Sequence, residues 1–391
     1  MELKKKPFLM STGQSLETIS HFLGLNLSSY IGRLYSLVLI LLFSFLSQIS
    51  WRSVCTEHCE KHLTIKFMAI ARFFLSTFFV LTTLSISIFR PKQFAFLREE
   101  IFIIDSILES YGAKFSDEDI FFTKYIQDIA TAIITLFVIM ENAYDIITNN
   151  SFQLICFFLH DWYFLLYELV TSGLFAHYIN DIYLRFRKLN KIAIKDSREN
   201  LSISCIGFST NSNSFNKCDS TVIIKIRLLQ HIHHELYILA TKMNTNFGLQ
   251  LLIDSALSLN NIIFLLYDMY QDMEKDNNNT GMLIIPIIFV SFYALRFLYI
   301  SYVCQRLRNK FRQTAIILHN GFLENKSSRA EVIHFSLQLI HENLIFTALG
   351  LYEINIPLIC SIAGAAVTYL VMFIQLDTIK FAIANNNGTT K

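Results

Sequence analysis

Apolar residues along the chain gather into long uncharged runs, and the charge is left to the stretches between them. The first run reads from about Leu34 to Ile49 and the second from about Phe67 to Phe89, where Arg90 and Pro91 end it. A segment of mixed charge over 92–128 precedes a third run, about Ile129 to Ile147. The turn Thr148-Asn149-Asn150-Ser151 leads into a fourth, from Phe152 to about Ile179. The fifth covers about Phe247 to Tyr267, the sixth about Met282 to Cys304, and the last runs from Pro357 to Leu376 without a formal charge. As helices, runs of roughly 20 residues match a hydrocarbon core of about 30 Å. The pattern predicts an all-α membrane protein with seven transmembrane helices.

The polar stretches set the domain boundaries and the orientation. Residues 1–33 form a polar to mixed N-terminus, 34–179 hold spans one to four, and 180–244 form the longest loop. The flanks of that loop, Asp181–Ile194 and Thr221–Lys242, continue the helical pattern, while its Ser- and Asn-rich centre from Lys195 to Ser220 reads as disordered. Spans five and six take 245–305, an anchor segment 306–349, the last helix 350–377 and a tail 378–391. Within the anchor segment an amphipathic helix is expected over 330–344, with Val332, Phe335, Leu339 and Ile340 on one face. Ten Lys and Arg follow span four, six follow span six and five follow span two, against none after span three and only Lys275 after span five. Basic loops stay on the cytosolic side, so the N-terminus is expected inside and the C-terminus outside. That topology is the reverse of a G-protein-coupled receptor.

Composition narrows the class further. Of 391 residues, 53% are hydrophobic and 16% charged, too apolar for an ordinary soluble chain. A net charge of +2 implies no nucleic-acid partner. Lys4, Lys5 and Lys6 precede no apolar run before Leu34, so a cleaved signal peptide is not expected. The seven cysteines are scattered and frame no disulfide scaffold. Nothing resembles a nucleophile elbow, a phosphate loop or an HExxH zinc motif, and neither an enzymatic reaction nor a cofactor is indicated.

Candidate binding chemistry lies in the outer halves of the spans. Glu141, Asn142, Tyr144 and Asp145 sit near the outer end of span three, and His160, Asp161, Trp162 and Tyr163 within span four. Asp254, Ser258 and Asn261 share one face of span five, while Tyr293 and Arg296 lie in span six. Ionisable groups at such depth face a cavity or each other, and together these residues could line an outward-open pocket for a small molecule. The structural alternative is that Asp254 and Arg296 simply neutralise one another. Cys55, His58, Cys59 and His62 recur at helical spacing, but one helical turn closes a tetrahedral site poorly, so no metal is expected. His231, His233 and His234 lack a carboxylate or cysteine at ligand spacing and read as packed or solvated. Of the glycosylation sequons, Asn278 and Asn387 fall on the expected outer side clear of the membrane.

The last run carries chemistry of its own. Ala363, Gly364, Ala365 and Ala366 permit close helix approach. Thr368, Met372 and Gln375, at spacings of four and three, share a face. One helix cannot line a pore, so the stripe either meets further copies around an axis, or leaves Gln375 at the interface and Thr368 bonded to its own helix.

Phe346-Thr347-Ala348-x-Gly350-x-x-x-Ile354-Asn355, followed by Thr368-Tyr369, five apolar residues and Gln375, resembles the C-terminal signature of insect gustatory receptors. His231-x-x-His234-Glu235-Leu236 and Asn244-x-Asn246-Phe247-Gly248-x-Gln250-Leu251-Leu252 are similar to that family's approach to its fifth span. The resemblance implies a ligand-gated, non-selective cation channel built as a homo- or hetero-tetramer around the last span, opened by a small tastant, sugar or bitter, at the membrane of a sensory dendrite. It implies that Gln375 and Met372 form the constriction with Thr368 deeper along the stripe. The anchor segment would then hold the subunits together. Asp377 is a candidate contributor to cation preference, with solvated decoration as the alternative. Leu376 departs from the family, which commonly carries an aromatic residue there. Two other classes remain to be weighed: a heptahelical receptor coupled to G proteins, which needs the opposite orientation, and a secondary transporter, which needs paired repeats that are not visible.

Overall fold

The computed structural model describes residues 14–25, 29–58, 63–90, 93–111, 152–206, 212–274, 280–322 and 329–388, together with the isolated positions 129, 132, 133 and 136. The described chain is helical almost throughout: α1 (Gln14–Phe22), α2 (Tyr30–His58), α3 (Leu63–Phe89), α4 (Gln93–Ser110), α5 (Phe152–Ile206), α6 (Ser212–Glu274), α7 (Thr280–Phe322), α8 (Arg329–His341) and α9 (Ile356–Gly388). Between α8 and α9 lies a two-stranded hairpin, β1 (Thr347–Ala348) and β2 (Tyr352–Glu353).

Among the described residues five helices are long and apolar enough to cross a membrane, through Tyr30–Arg52, Thr64–Phe89, Val222–Gln271, Leu283–Asn320 and Ile356–Ile379. These coincide with spans one, two, five, six and seven of the sequence reading. The first half of α5 packs among them as span four. The described positions of span three, Ile129, Ala132, Ile133 and Leu136, are all exposed and share one helical face of apolar side chains. Exposed Leu37, Leu41 and Phe45 on α2, Phe67, Phe74 and Phe78 on α3, and Ile284, Leu295 and Leu298 on α7 form the matching outer belt. Apolar surface on that scale belongs against lipid.

The core runs along α5, which packs against α7, α2 and α6, while α3 lies on α2 and α6. Leu174, Phe175, Ile179, Ile182 and Phe186 form its buried spine together with Leu236, Leu239, Phe247, Val303 and Leu307. We call the end where α3, α5 and α7 begin the first end of the bundle, and the end where α4, α8 and the hairpin gather the second.

Three segments differ from the sequence reading. α5 continues to Ile206 and α6 begins at Ser212, so helix occupies most of the stretch between Lys195 and Ser220 that its composition reads as disordered. Lys225 on α6 pairs with Asp196 on α5 at 2.8 Å, a contact between flanks that no local propensity reports. The N-terminus, outwardly polar, docks into the bundle. Leu16, Leu23 and Leu25 are buried, Gly24 turns the chain at φ 78°, and its carbonyl accepts from Ser36 (2.7 Å) and Ser87 (3.0 Å). Finally, α9 runs on to Gly388 instead of ending near 377, which places Asn387 in its last turn.

Candidate functional site

Two polar layers cross the first half of the bundle. Nearer the first end, Arg72 of α3 pairs with Asp161 of α5 at 3.0 Å, both partly exposed. His160 beside it is fully buried, stacked between Phe43 (5.1 Å) and Phe73 (4.8 Å), with Thr77 Oγ1 3.2 Å from its Nε2. Tyr163 stacks on Phe43 at 5.3 Å and faces Tyr167, whose hydroxyl donates to the Leu23 carbonyl. Trp162 turns the other way, toward Leu165, Leu169, Phe289 and Phe292, with its indole N–H unpartnered among the described residues. Helix geometry explains the split: successive residues point about 100° apart, so four neighbours in sequence cannot all reach one cavity.

The deeper layer centres on Arg296 of α7, which lies sixteen residues into its helix, as Glu168 does into α5. At the helical rise that is about 24 Å from each start. Arg296 Nη2 lies 2.6 Å from Glu168 Oε1 and 2.9 Å from Asp254 Oδ1, and donates to Ser258 Oγ at 2.7 Å. The guanidinium also lies over the rings of Phe292 (5.8 Å) and Tyr293 (5.6 Å). Asp254 and Arg296 therefore do neutralise one another, but as part of a triad. Tyr293 sits between the two layers, within electrostatic reach of Arg72, Asp161, Glu168 and Arg296. Asn261 is buried one turn from Ser258, and neither of its amide atoms has a partner among the described residues. Glu141, Asn142, Tyr144, Asp145 and the sequon Asn278 lie outside the described residues.

Arg72 and Glu168 escaped the sequence reading. Glu168 had a signal: it follows Asp161 by seven residues, hence on nearly the same face, as a lone acid in an apolar run.

The last helix is organised by opposite faces. Ala366, Leu370 and Phe373 pack with Ile65, Met68, Ile263 and Tyr267. Thr368, Met372 and Gln375 are offset from that face by two residues, roughly 200°, and all three are exposed on the subunit. Thr368 also donates to its own helix at Gly364, 2.8 Å away. Asp377 is turned inward: it accepts from Thr64 (3.1 Å) and Gln271 (3.4 Å), so it is neither free at the mouth of the stripe nor solvated decoration.

The hairpin ties this helix to α6. Asn244 Oδ1 accepts from the Thr347 N–H (2.9 Å) and its amide donates to Thr347 Oγ1 (3.2 Å). Tyr352 is hydrogen-bonded to Ser255, next to Asp254 of the triad, and Arg308 reaches Glu353 at 3.2 Å.

Below lies the junction of α6 and α8. His233, which the sequence leaves without a partner, is buried against Phe186, Phe311 and Phe335, and its Nδ1 meets Glu342 Oε2 at 3.1 Å. His234 approaches the other oxygen at 2.6 Å. Burial works to raise the Glu342 carboxyl, but hydrogen bonds from His233, His234 and Gln338 hold it below the ordinary glutamate range. Beside them an open groove of ≈ 580 Å³ is lined by His231, His234, His334 and His341 with Arg227. Of the Cys55, His58, Cys59 and His62 group, the last two lie outside the described residues. Among the described residues no three His, Cys, Asp or Glu side chains are arranged to hold a metal.

Long apolar helices, a lipid-facing belt and buried ion pairs across the bundle define a multi-pass membrane protein with a polar interior. The family model of the 7tm chemosensory receptors matches residues 19–379, so the chain belongs to that family. It is similar to putative gustatory receptor 28b of Drosophila melanogaster, 30% identical over 158 residues, which is 38% of this chain and 33% of that one. Gustatory receptor 23a of the same species is 25% identical over 154 residues, 39% of this chain and 41% of that one. The chain thus matches well under half the length of these relatives. In fold it resembles the insect olfactory receptor OR5 from Machilis hrabei in complex with eugenol, at TM-score 0.68 and 12% identity, over 94% of this chain and 99% of that one.

Proposed function

We propose that the chain is a gustatory receptor subunit of a ligand-gated, non-selective cation channel, with several copies, four in the simplest arrangement, around α9. The observation that carries this reading is the exposed stripe Thr368, Met372 and Gln375, opposite the face with which α9 packs on its own subunit. A glutamine side chain in hydrocarbon is costly, and further copies around a common axis give it water and matching amides. The first end is then extracellular, as the distribution of Lys and Arg argues, and the second cytosolic. A small tastant enters from the first end toward the layers built by Arg72, Asp161, Tyr293 and the triad. To open the channel it must bind the open arrangement more tightly than the closed one. The difference reaches α9 through Asp254 and Ser255 of α6, the Tyr352 hydroxyl and the hairpin. Met372 then leaves the axis and Gln375 hydrates it. Eugenol in the OR5 complex supports a small organic molecule as the ligand class, and the family supports a place at a sensory membrane.

The test is current recording from the full chain. Gln375→Ala is expected to alter ion selectivity or pore block with surface expression intact. Permeation and block identical to wild type would remove the pore from α9.

A further inference from the structure

Ser36 of α2 and Ser87 of α3, both buried, donate to one oxygen, the Gly24 carbonyl, at 2.7 and 3.0 Å. The tie fixes the two helices at a common height near the second end of the bundle, against the docked α1. Arg33 lies one turn before Ser36. Arg90 lies one turn beyond Ser87, where its N–H still closes a helical bond to the Ile86 carbonyl at 2.9 Å. Because α2 and α3 run in opposite directions, both arginines fall on the same side of the tie. Each shares a helix face with its serine, and each is exposed.

Neither guanidinium has an acidic partner among the described residues. The sequence offers few: no Asp or Glu occurs between Glu17 and Glu57 or between Glu60 and Glu99. Glu57 is about 36 Å further along α2 than Arg33. Glu17 accepts from the Tyr178 hydroxyl at 3.3 Å, and Glu100 of α4 meets Lys242 at 3.2 Å. Two like charges are thus held at one height with no counter-charge. The apolar surface shows what lies beside them. Ile31, Leu34 and Val38 are exposed on α2, and Phe89, the last residue of α3, is 82% exposed. Phe22, Tyr30 and Tyr35 add exposed rings at the same end, with the Tyr35 hydroxyl donating to the Phe22 carbonyl at 2.7 Å. Aromatic rings beside basic residues, where a lipid-facing belt stops, mark the depth of phospholipid headgroups.

We propose that Arg33 and Arg90 together hold the phosphate of an anionic phospholipid, whose acyl chains lie along the exposed faces of α2 and α3. The distribution of Lys and Arg makes this the cytosolic leaflet, where anionic lipids concentrate. A guanidinium donates two parallel bonds to phosphate oxygens, and an anionic headgroup removes the repulsion between the two arginines. A zwitterionic headgroup brings its own cation and relieves less of it. The bound lipid braces α2 against α3 across the Gly24 turn and so stabilises the docked α1. Such a site needs only that the bundle spans a bilayer, and it is independent of ion conduction.

The experiment titrates purified receptor in a neutral detergent with dioctanoyl phosphatidylglycerol or dioctanoyl phosphatidylcholine, which share tails and phosphate and differ in net charge. Binding is followed as the rise in Tm. Phosphatidylglycerol is expected to reach its half-maximal effect at a concentration at least tenfold below phosphatidylcholine. Arg33→Gln and Arg90→Gln should each raise that concentration about fivefold, the equivalent of roughly 1 kcal/mol per basic residue at an anionic surface, with the phosphatidylcholine titration unchanged. Arg312→Gln is the control and should behave as wild type: Arg312 is also exposed, but lies about 48 Å along α7, past the hydrocarbon. Should a glutamine variant fail to fold, native mass spectrometry of the wild type in an equimolar mixture of the two lipids replaces it, with at least fivefold more phosphatidylglycerol bound. Equal action of the two lipids overturns the proposal, as does a shift in Arg312→Gln equal to that of the other variants. Glycerophosphoglycerol, the same headgroup without tails, acting at the lipid's own concentration would mark a site for soluble phosphate and overturn it as well.

Discussion

Gly248 of α6 shows how closely single residues join the hairpin before α9 to the bundle. A Cβ placed there would lie 3.2 Å from the Leu349 backbone nitrogen and 3.4 Å from its Cα. That neighbour cannot swing aside, because it is main chain and Leu349 is held at φ 52° by the turn it makes with Gly350. Gly248→Ala should therefore cost about 1–3 kcal/mol, seen as a lower Tm of purified receptor. Gly173→Ala is the control, since its added carbon meets only the Leu16 side chain at an ordinary 3.4 Å; equal Tm values for the two variants would refute the account. Residue chemistry was unevenly legible beforehand. Asp254, Ser258 and Tyr293 stood out as polar groups in apolar runs. His160 stood out equally, yet it is packed between two phenylalanines. Spacing tells which face a residue occupies, not what covers that face.

At the scale of elements, α8 illustrates both outcomes. Its amphipathic pattern correctly buries Val332 and Phe335, whereas Ile340, expected on the same face, is 75% exposed. The helix ends at His341, and the chain beyond turns Glu342 inward to His233 and His234. Because that carboxyl is held below its unfolded value, it stabilises the docked α8 fully above the ordinary glutamate range, about pH 4.3. The contribution disappears as pH falls through the still lower folded value. Purified receptor should thus lose Tm on acidification below that point, and Glu342→Gln should be less stable at neutral pH and flatter over that acid window. Parallel curves for the two proteins would exclude Glu342 as the linked group.

For the whole molecule, orientation is the property most open to direct test. With basic loops inside, an epitope at the C-terminus should be labelled on intact cells and one at the N-terminus only after permeabilisation. The opposite result would return the heptahelical, G-protein-coupled arrangement. The same scale separates channel from transporter, since a channel gives unitary current steps.

What the sequence alone determined is what lipid and periodicity enforce: a hydrophobic run must cross as a helix, and a polar stripe repeats every three or four residues. Hence the spans and the two-faced last helix were readable from the chain. Only the tertiary structure decided partners. Glu168 with Arg296, Glu342 with His233, Asp377 with Thr64 and Asn244 with Thr347 lie 128, 109, 313 and 103 positions apart. Such pairs are selected by helix packing, where rotation of an element by a fraction of a turn exchanges one neighbour for another. No local pattern contains that angle.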